Sequence, residues 1–185
     1  MQLSKLNKEE TTMATKKSVC VLFAILVILA WVLGSTIQAG AETMKFRNVQ
    51  TATKDETIPV GDEEGHVLGL QIGEGLALIE NGEIAKMRSH NVYDFIPGKG
   101  AQNIGYAIYR FEDGSTIVQR FQRLLVVDKS GNISAQTTGE LIKGTGRFEG
   151  IKGTASATGK TFPPGKGEAF IHYNDITFTY TLPPK

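Results

Sequence analysis

Between residues 139 and 159 the chain reads GELIKGTGRFEGIKGTASATG, with glycine at 139, 144, 146, 150, 153 and 159 and Phe148 among them. Glycine at such spacing marks tight corners and close backbone approach in an antiparallel sheet, where a side chain would clash or φ must be positive. Downstream, Ile176, Phe178, Tyr180 and Leu182 alternate at the period of two of a half-buried strand. Gly144, Gly146, Phe148 and Gly150 are therefore read as a structural corner, with Phe148 as its apolar anchor. Gly144-x-Gly146-x-x-x-Gly150 has neither the spacing nor the following helix of a dinucleotide site, and no nucleophile elbow or phosphate loop occurs.

The rest of the chain past residue 41 repeats that theme. Asn81-Gly82 and Asp113-Gly114 are hairpin turns between alternating runs, and Pro97, Gly98 and Gly100 make another corner. Residues 128–132 turn again, and Pro163, Pro164 and Gly165 separate the last two runs. One short strand is expected at Met44–Ala52, followed by a polar loop with Pro59 and Gly61. No stretch past residue 41 shows an apolar repeat at helical spacing. The expected fold is all-β, an eight-stranded antiparallel up-and-down barrel over 66–185, with 42–65 as an N-terminal strand and loop.

Residues 1–41 read differently. Val19 to Leu33 is entirely apolar, Lys16 and Lys17 precede it, and Ala39-Gly40-Ala41 follows. Charge, apolar core and small-residue exit in that order describe a signal peptide helix with cleavage before Glu42, and Met13 would give it a more usual start than Met1. The alternative is an uncleaved anchor through residues 19–37, the only membrane contact the sequence suggests. The expected location is exported, periplasmic or secreted. The sole cysteine, Cys20, lies within the leader, so the exported part has no thiol for a disulfide, a nucleophile or a metal. Lys and Arg number 20 against 19 Asp and Glu, for a net charge of +1, which gives no electrostatic reason to propose nucleic acid.

Gly144-Thr145-Gly146-Arg147-Phe148-Glu149-Gly150, Gly153, Phe162-Pro163 and Phe178-Thr179-Tyr180-Thr181-Leu182 together resemble the carboxy-terminal half of allene oxide cyclase. The same Gly-x-Gly-x-Phe corner resembles dirigent proteins, and Gly105-Tyr106 with residues 111–115 resembles uncharacterised bacterial exported relatives of that superfamily. The resemblance covers about 67–182. It implies a calycin-type barrel with an apolar lumen that holds a small lipophilic molecule, often as a trimer. No segment matches the catalytic positions of either family.

Candidate residues are therefore judged on their own chemistry. Glu74, between Gly73 and Gly75 and among Leu70, Ile72, Leu76 and Leu78, is the candidate general acid if it projects into the lumen with a raised pKa. Tyr106, Arg120 and Phe178 are the candidate ligand-binding residues. Arg120 and Arg123 fall on opposite faces of one strand, so only one is internal; Arg120, if inward, would bind a carboxylate such as that of a fatty acid. His66, His90 and His172 sit on different strands without metal-ligand spacing, so no metal and no cofactor is expected. The functional expectation is a small exported barrel binding a lipophilic ligand; the alternatives are an isomerase or cyclase acting on a reactive lipophilic intermediate, and a structural envelope trimer.

Overall fold

A computed structural model describes residues 40–162 and 171–184. The expected leader lies outside the described residues except for Gly40 and Ala41. Eight strands follow in order: β1 (Glu42–Pro59), β2 (Val67–Ile79), β3 (Ile84–Ile96), β4 (Gly100–Phe111), β5 (Thr116–Val127), β6 (Ile133–Thr145), β7 (Lys152–Phe162) and β8 (Ile171–Thr181). Each pairs antiparallel with its sequence neighbour, and β1 pairs with β8 to close the barrel. The sheet is thus an up-and-down closed barrel with no free edge between those strands.

One boundary differs from the sequence reading. Residues 42–59 are not a separate strand and loop but the closing strand, with Phe46 opposite both Ile79 and Ile176. The polar stretch Lys54-Asp55-Glu56 was expected to leave the sheet. It instead continues along β2 after a register shift between Ala52 and Lys54, where the bulged Thr53 donates its hydroxyl to the Ile72 carbonyl at 3.3 Å.

The turns follow local chemistry. In the β2–β3 turn the Gly82 amide donates to the Ile79 carbonyl at 2.9 Å, and the Asn81 side chain accepts from the Glu83 amide at 3.0 Å. The Asp113 carboxylate does the same for the Ser115 amide in the β4–β5 turn at 2.9 Å. After β6 the chain makes a single 3₁₀ turn, Gly146–Phe148. Gly146 has φ of +62°, and a Cβ there would stand 2.4 Å from the Ser115 hydroxyl, which accepts the Arg147 amide. Only glycine fits that position without strain.

The barrel interior divides into two layers. The end that carries the chain's entry at Glu42 and the turns after β2, β4 and β6 is filled by Phe46, Ile79, Tyr109, Phe111, Phe148, Ile176 and Phe178 with Ala77, Ala85 and Ala107. Phe46, Tyr109 and Phe178 meet edge to face with centroids 4.9–5.4 Å apart, and Phe148 covers Phe111 at 4.9 Å. Arg147 lies over both Phe111 and Phe148 and bonds Glu83 at 2.6 Å, closing that end from outside.

Candidate functional site

At the other end the same strands turn polar on their inward positions. Buried there are Gln50, Ser89, Asn91, Asn103, Thr137, Thr161 and His172. Most of them satisfy one another: Ser89 donates to Gln50 at 3.1 Å, Asn103 to Asn91 at 3.1 Å, and Asn174 to Asn48 at 3.0 Å below them. Thr161 and the Nδ1 of His172 are 2.8 Å apart. At the rim the Tyr93 hydroxyl donates to Asp55 at 2.6 Å, and Gln71 bonds the second carboxylate oxygen at 3.0 Å. Burial, reinforced by that hydrogen bond, pushes the Tyr93 phenol well above its ordinary range.

Within this layer sits Arg123, the only Lys or Arg on an inward strand position among the described residues. It is part-buried, donates Nε to the Thr137 hydroxyl at 3.3 Å and lies over the Phe121 ring at 5.2 Å. Desolvation pulls its pKa down, yet a guanidinium keeps its charge at neutral pH. Burial first, then the Arg123 charge, pushes His172 down to about 4, so His172 is neutral at pH 7. Asn103 Oδ1 is buried without a hydrogen-bond partner. The enclosed space beside these groups, lined by Gln50, Ser89, Gln119, Arg123 and Thr137, is about 10 Å³, room for one water at most. Above them the inward positions become half-buried and apolar again at Val67, Phe95, Leu125, Val127 and Ile133. The mouth is amphipathic, with an apolar rim over a polar, cationic floor.

The residues singled out from the sequence do not meet there. Glu74 is on the outer wall, half exposed, with Arg88 at 3.4 Å. The expectation of an inward, desolvated carboxyl is corrected: pairing of β2 with β3 runs without a register shift through Gly73 and Gly75, so the glycines leave the alternation intact and every even residue of β2 faces out. Tyr106 and Arg120 do come together, opposite each other on β4 and β5, but on the outside. They line an open groove of about 650 Å³ with Leu70, Val92 and Ile104, and Arg120 is held by Glu140 at 2.7 Å. Phe178 is inward but 1% exposed in the apolar layer, where no space is left for a ligand. Gly144, Gly146, Phe148 and Gly150 form the turn described above. The apolar lumen implied by the family resemblance is replaced by one that is packed solid at one end and polar at the other.

Asp62, Glu63 and His66 approach within 4.8 Å as a potential metal cluster. Their donors are engaged: His66 has Asp62 at 2.6 Å on Nδ1 and Asp94 at 2.8 Å on Nε2, and Glu63 holds Lys99 at 2.9 Å. A carboxylate on each ring nitrogen favours the protonated ring, which has no lone pair to offer a metal. Its pKa is raised, chiefly by the hydrogen bond to Asp94. His66 is therefore not an ordinary strand-end histidine but a clasp between the β1–β2 loop and β3.

Arg123 was accessible to sequence reasoning only as one of two alternatives. The period of two separated it from Arg120, but nothing local said which faces in. The fold and this polarised lumen define the class: a closed eight-stranded up-and-down barrel with one closed apolar end and one polar end. No protein-family model matches the chain, and no curated protein matches it. Two solved structures, of the pterocarpan synthase dirigent proteins GePTS1 and PsPTS1, align with 77% of this chain and with 89% and 97% of theirs, each at 15% identity and a TM-score of 0.43. Both are dirigent proteins, one of the two families whose glycine corner the sequence resembles. At that identity the likeness bears on neither ligand nor reaction.

Proposed function

We propose that the protein is an exported barrel that binds a small lipophilic molecule at the polar end of its lumen. The observation that carries this reading is the polar floor itself, in which, among the described residues, Arg123 makes a single hydrogen bond and Asn103 leaves an acceptor unused. Burying polar atoms without full partners costs free energy, and departures from a fully apolar core concentrate at sites of function. Because the enclosed space is no larger than one water, the ligand sits above Arg123, against the half-buried apolar rim. Export is supported by the order of the leader and by β1 starting at Glu42, the residue after the small-residue exit.

The outer wall supports a homo-oligomer, the trimer of the family resemblance. Leu68, Leu70, Leu76 and Leu78 on β2, with Ile58, Val92, Ile104 and Tyr106 beside them, are all 42–72% exposed. An exposed apolar patch of this kind on an outer wall is the pattern of an interface. Native mass spectrometry of the purified protein reads ligand and assembly together. The expected result is a multimer whose protomers each carry one small molecule, released on collisional activation. A bare monomer from several expression hosts would contradict both statements.

The isomerase or cyclase alternative draws support from one pair, Tyr93 and Asp55, which place a proton donor and a carboxylate 2.6 Å apart at the same rim. Under that reading Tyr93→Phe abolishes turnover while leaving ligand binding intact.

A further inference from the structure

We infer that the ligand of the polar end is an anion, an apolar body bearing one carboxylate or phenolate that is received by Arg123. The inference rests on the binding reading above and names its chemistry. A guanidinium presents five N–H donors in a planar fork shaped for an oxyanion. Among the described residues only Nε is used, by Thr137, while one face of the group lies towards Phe121. No carboxylate among the described residues forms an ion pair with it. The acid at the same rim, Asp55, is already engaged by Tyr93 and Gln71. A desolvated positive charge with its fork free is costly unless an anion completes it.

The surroundings narrow the anion further. His172 is neutral at pH 7, so Arg123 is the one positive charge of the floor among the described residues, with the Asp55 carboxylate already at the rim; this suits one negative group, not a phosphate or a dicarboxylate. Asn103 and Thr137 sit on the strands that flank Arg123 in register, so hydrogen-bonding groups border the fork on both sides. Val67, Phe95, Leu125, Val127 and Ile133 form the rim through which the ligand enters, and an apolar body fits there. A ligand of this kind lies with its charged end down and its apolar end towards the mouth, the reverse of a fatty acid in a greasy lumen with its head in solvent.

Fluorescence titration of the full chain with two dyes of similar shape, anionic anilinonaphthalene sulfonate and neutral phenylnaphthylamine, tests this. The expected result is that Arg123→Met weakens the anionic dye by about tenfold or more, the worth of a charge-assisted hydrogen bond, and leaves the neutral dye unchanged. Arg123→Lys should recover most of the loss. Unchanged anionic affinity in Arg123→Met, or an equal loss for both dyes with an unaltered melting temperature, would overturn the inference. If Arg123→Met does not fold, the wild type decides: added chloride should weaken the anionic dye and spare the neutral one, and equal response to salt overturns it. Binding of the neutral dye alone removes the acidic ligand and leaves the binding reading standing; binding of neither dye removes both.

Discussion

Followed from one end to the other, β8 points His172, Asn174, Ile176, Phe178 and Tyr180 into the lumen, and β5, running the opposite way, points Ile117, Gln119, Phe121 and Arg123. Each strand brings a polar group to the same end of the barrel, His172 on β8 and Arg123 on β5, with Gln119 and Phe121 interleaved on β5 before it. At the apolar end, rings interlock, the 3₁₀ turn caps the core and Arg147 closes the outside. At the polar end, hydrogen bonds replace packing and the Arg123 guanidinium has no ionic partner among the described residues. A single sheet thus carries one half filled by packed rings and one half filled by hydrogen-bonded polar groups, and a change in one half should not read out in the other.

The largest expected effect comes from the apolar half. Phe178→Ala should lower unfolding free energy by about 3–5 kcal/mol in a urea titration, because it removes a fully buried ring and leaves a cavity. Dye binding in the absence of urea should survive wherever the variant remains folded. A loss of binding without loss of stability would show that the two halves are not separate.

The polar half should reveal itself through pH. In the folded state burial holds His172 near 4, below its ordinary value near 6.5, so between those values the unfolded chain binds the extra proton. Stability therefore falls as pH drops from about 6.5 towards 4, by about 3 kcal/mol from this group. His172→Asn should flatten that part of the stability–pH curve. His66 acts with the opposite sign: its raised pKa gives stability present below its unfolded value and lost as pH rises through the folded one. An unchanged slope in His172→Asn would show that the imidazole is solvated.

Gly146→Val should cost about 1–3 kcal/mol, more than a propensity change alone, because φ of +62° and the Ser115 hydroxyl both oppose a side chain. Equal melting temperatures for the two proteins would mean the corner relaxes freely. Smallest of all, Glu74→Gln should shift stability by no more than about 0.5 kcal/mol and leave dye binding as it was, since it breaks only an exposed pair with Arg88. A large effect would return Glu74 to the lumen.

Much of the architecture was legible because turns are local. Asn81-Gly82, Asp113-Gly114 and the Gly146 corner each specify a backbone conformation that few other residues adopt, and the strands between them follow. Parity was not legible. On β2 the large residues Leu68, Leu70, Leu76 and Leu78 face outward while Gly69, Gly73, Gly75 and Ala77 face the lumen, where large side chains from other strands fill the space. The Tyr93 ring, for instance, occupies the room that a side chain at Gly69 would need. A reader of the sequence places leucines inside, and Glu74 with them, since only the opposite wall says how much room the interior has. The candidate site failed for the same reason: Arg120 and Arg123 were separated correctly by the period of two, and which one faces inward is decided by pairing with β4 and β6.

The central claim is that binding belongs to the polar end of the lumen, and an NMR titration of the isotope-labelled protein with anilinonaphthalene sulfonate tests it most directly. The account predicts that the Arg123 Nε–H signal and the side-chain amides of Asn91 and Asn103 move with a common dissociation constant, while the rings of Phe111 and Phe178 in the apolar layer stay fixed. Shifts confined instead to the outer groove, at Tyr106, Arg120 and Ile104, would contradict it.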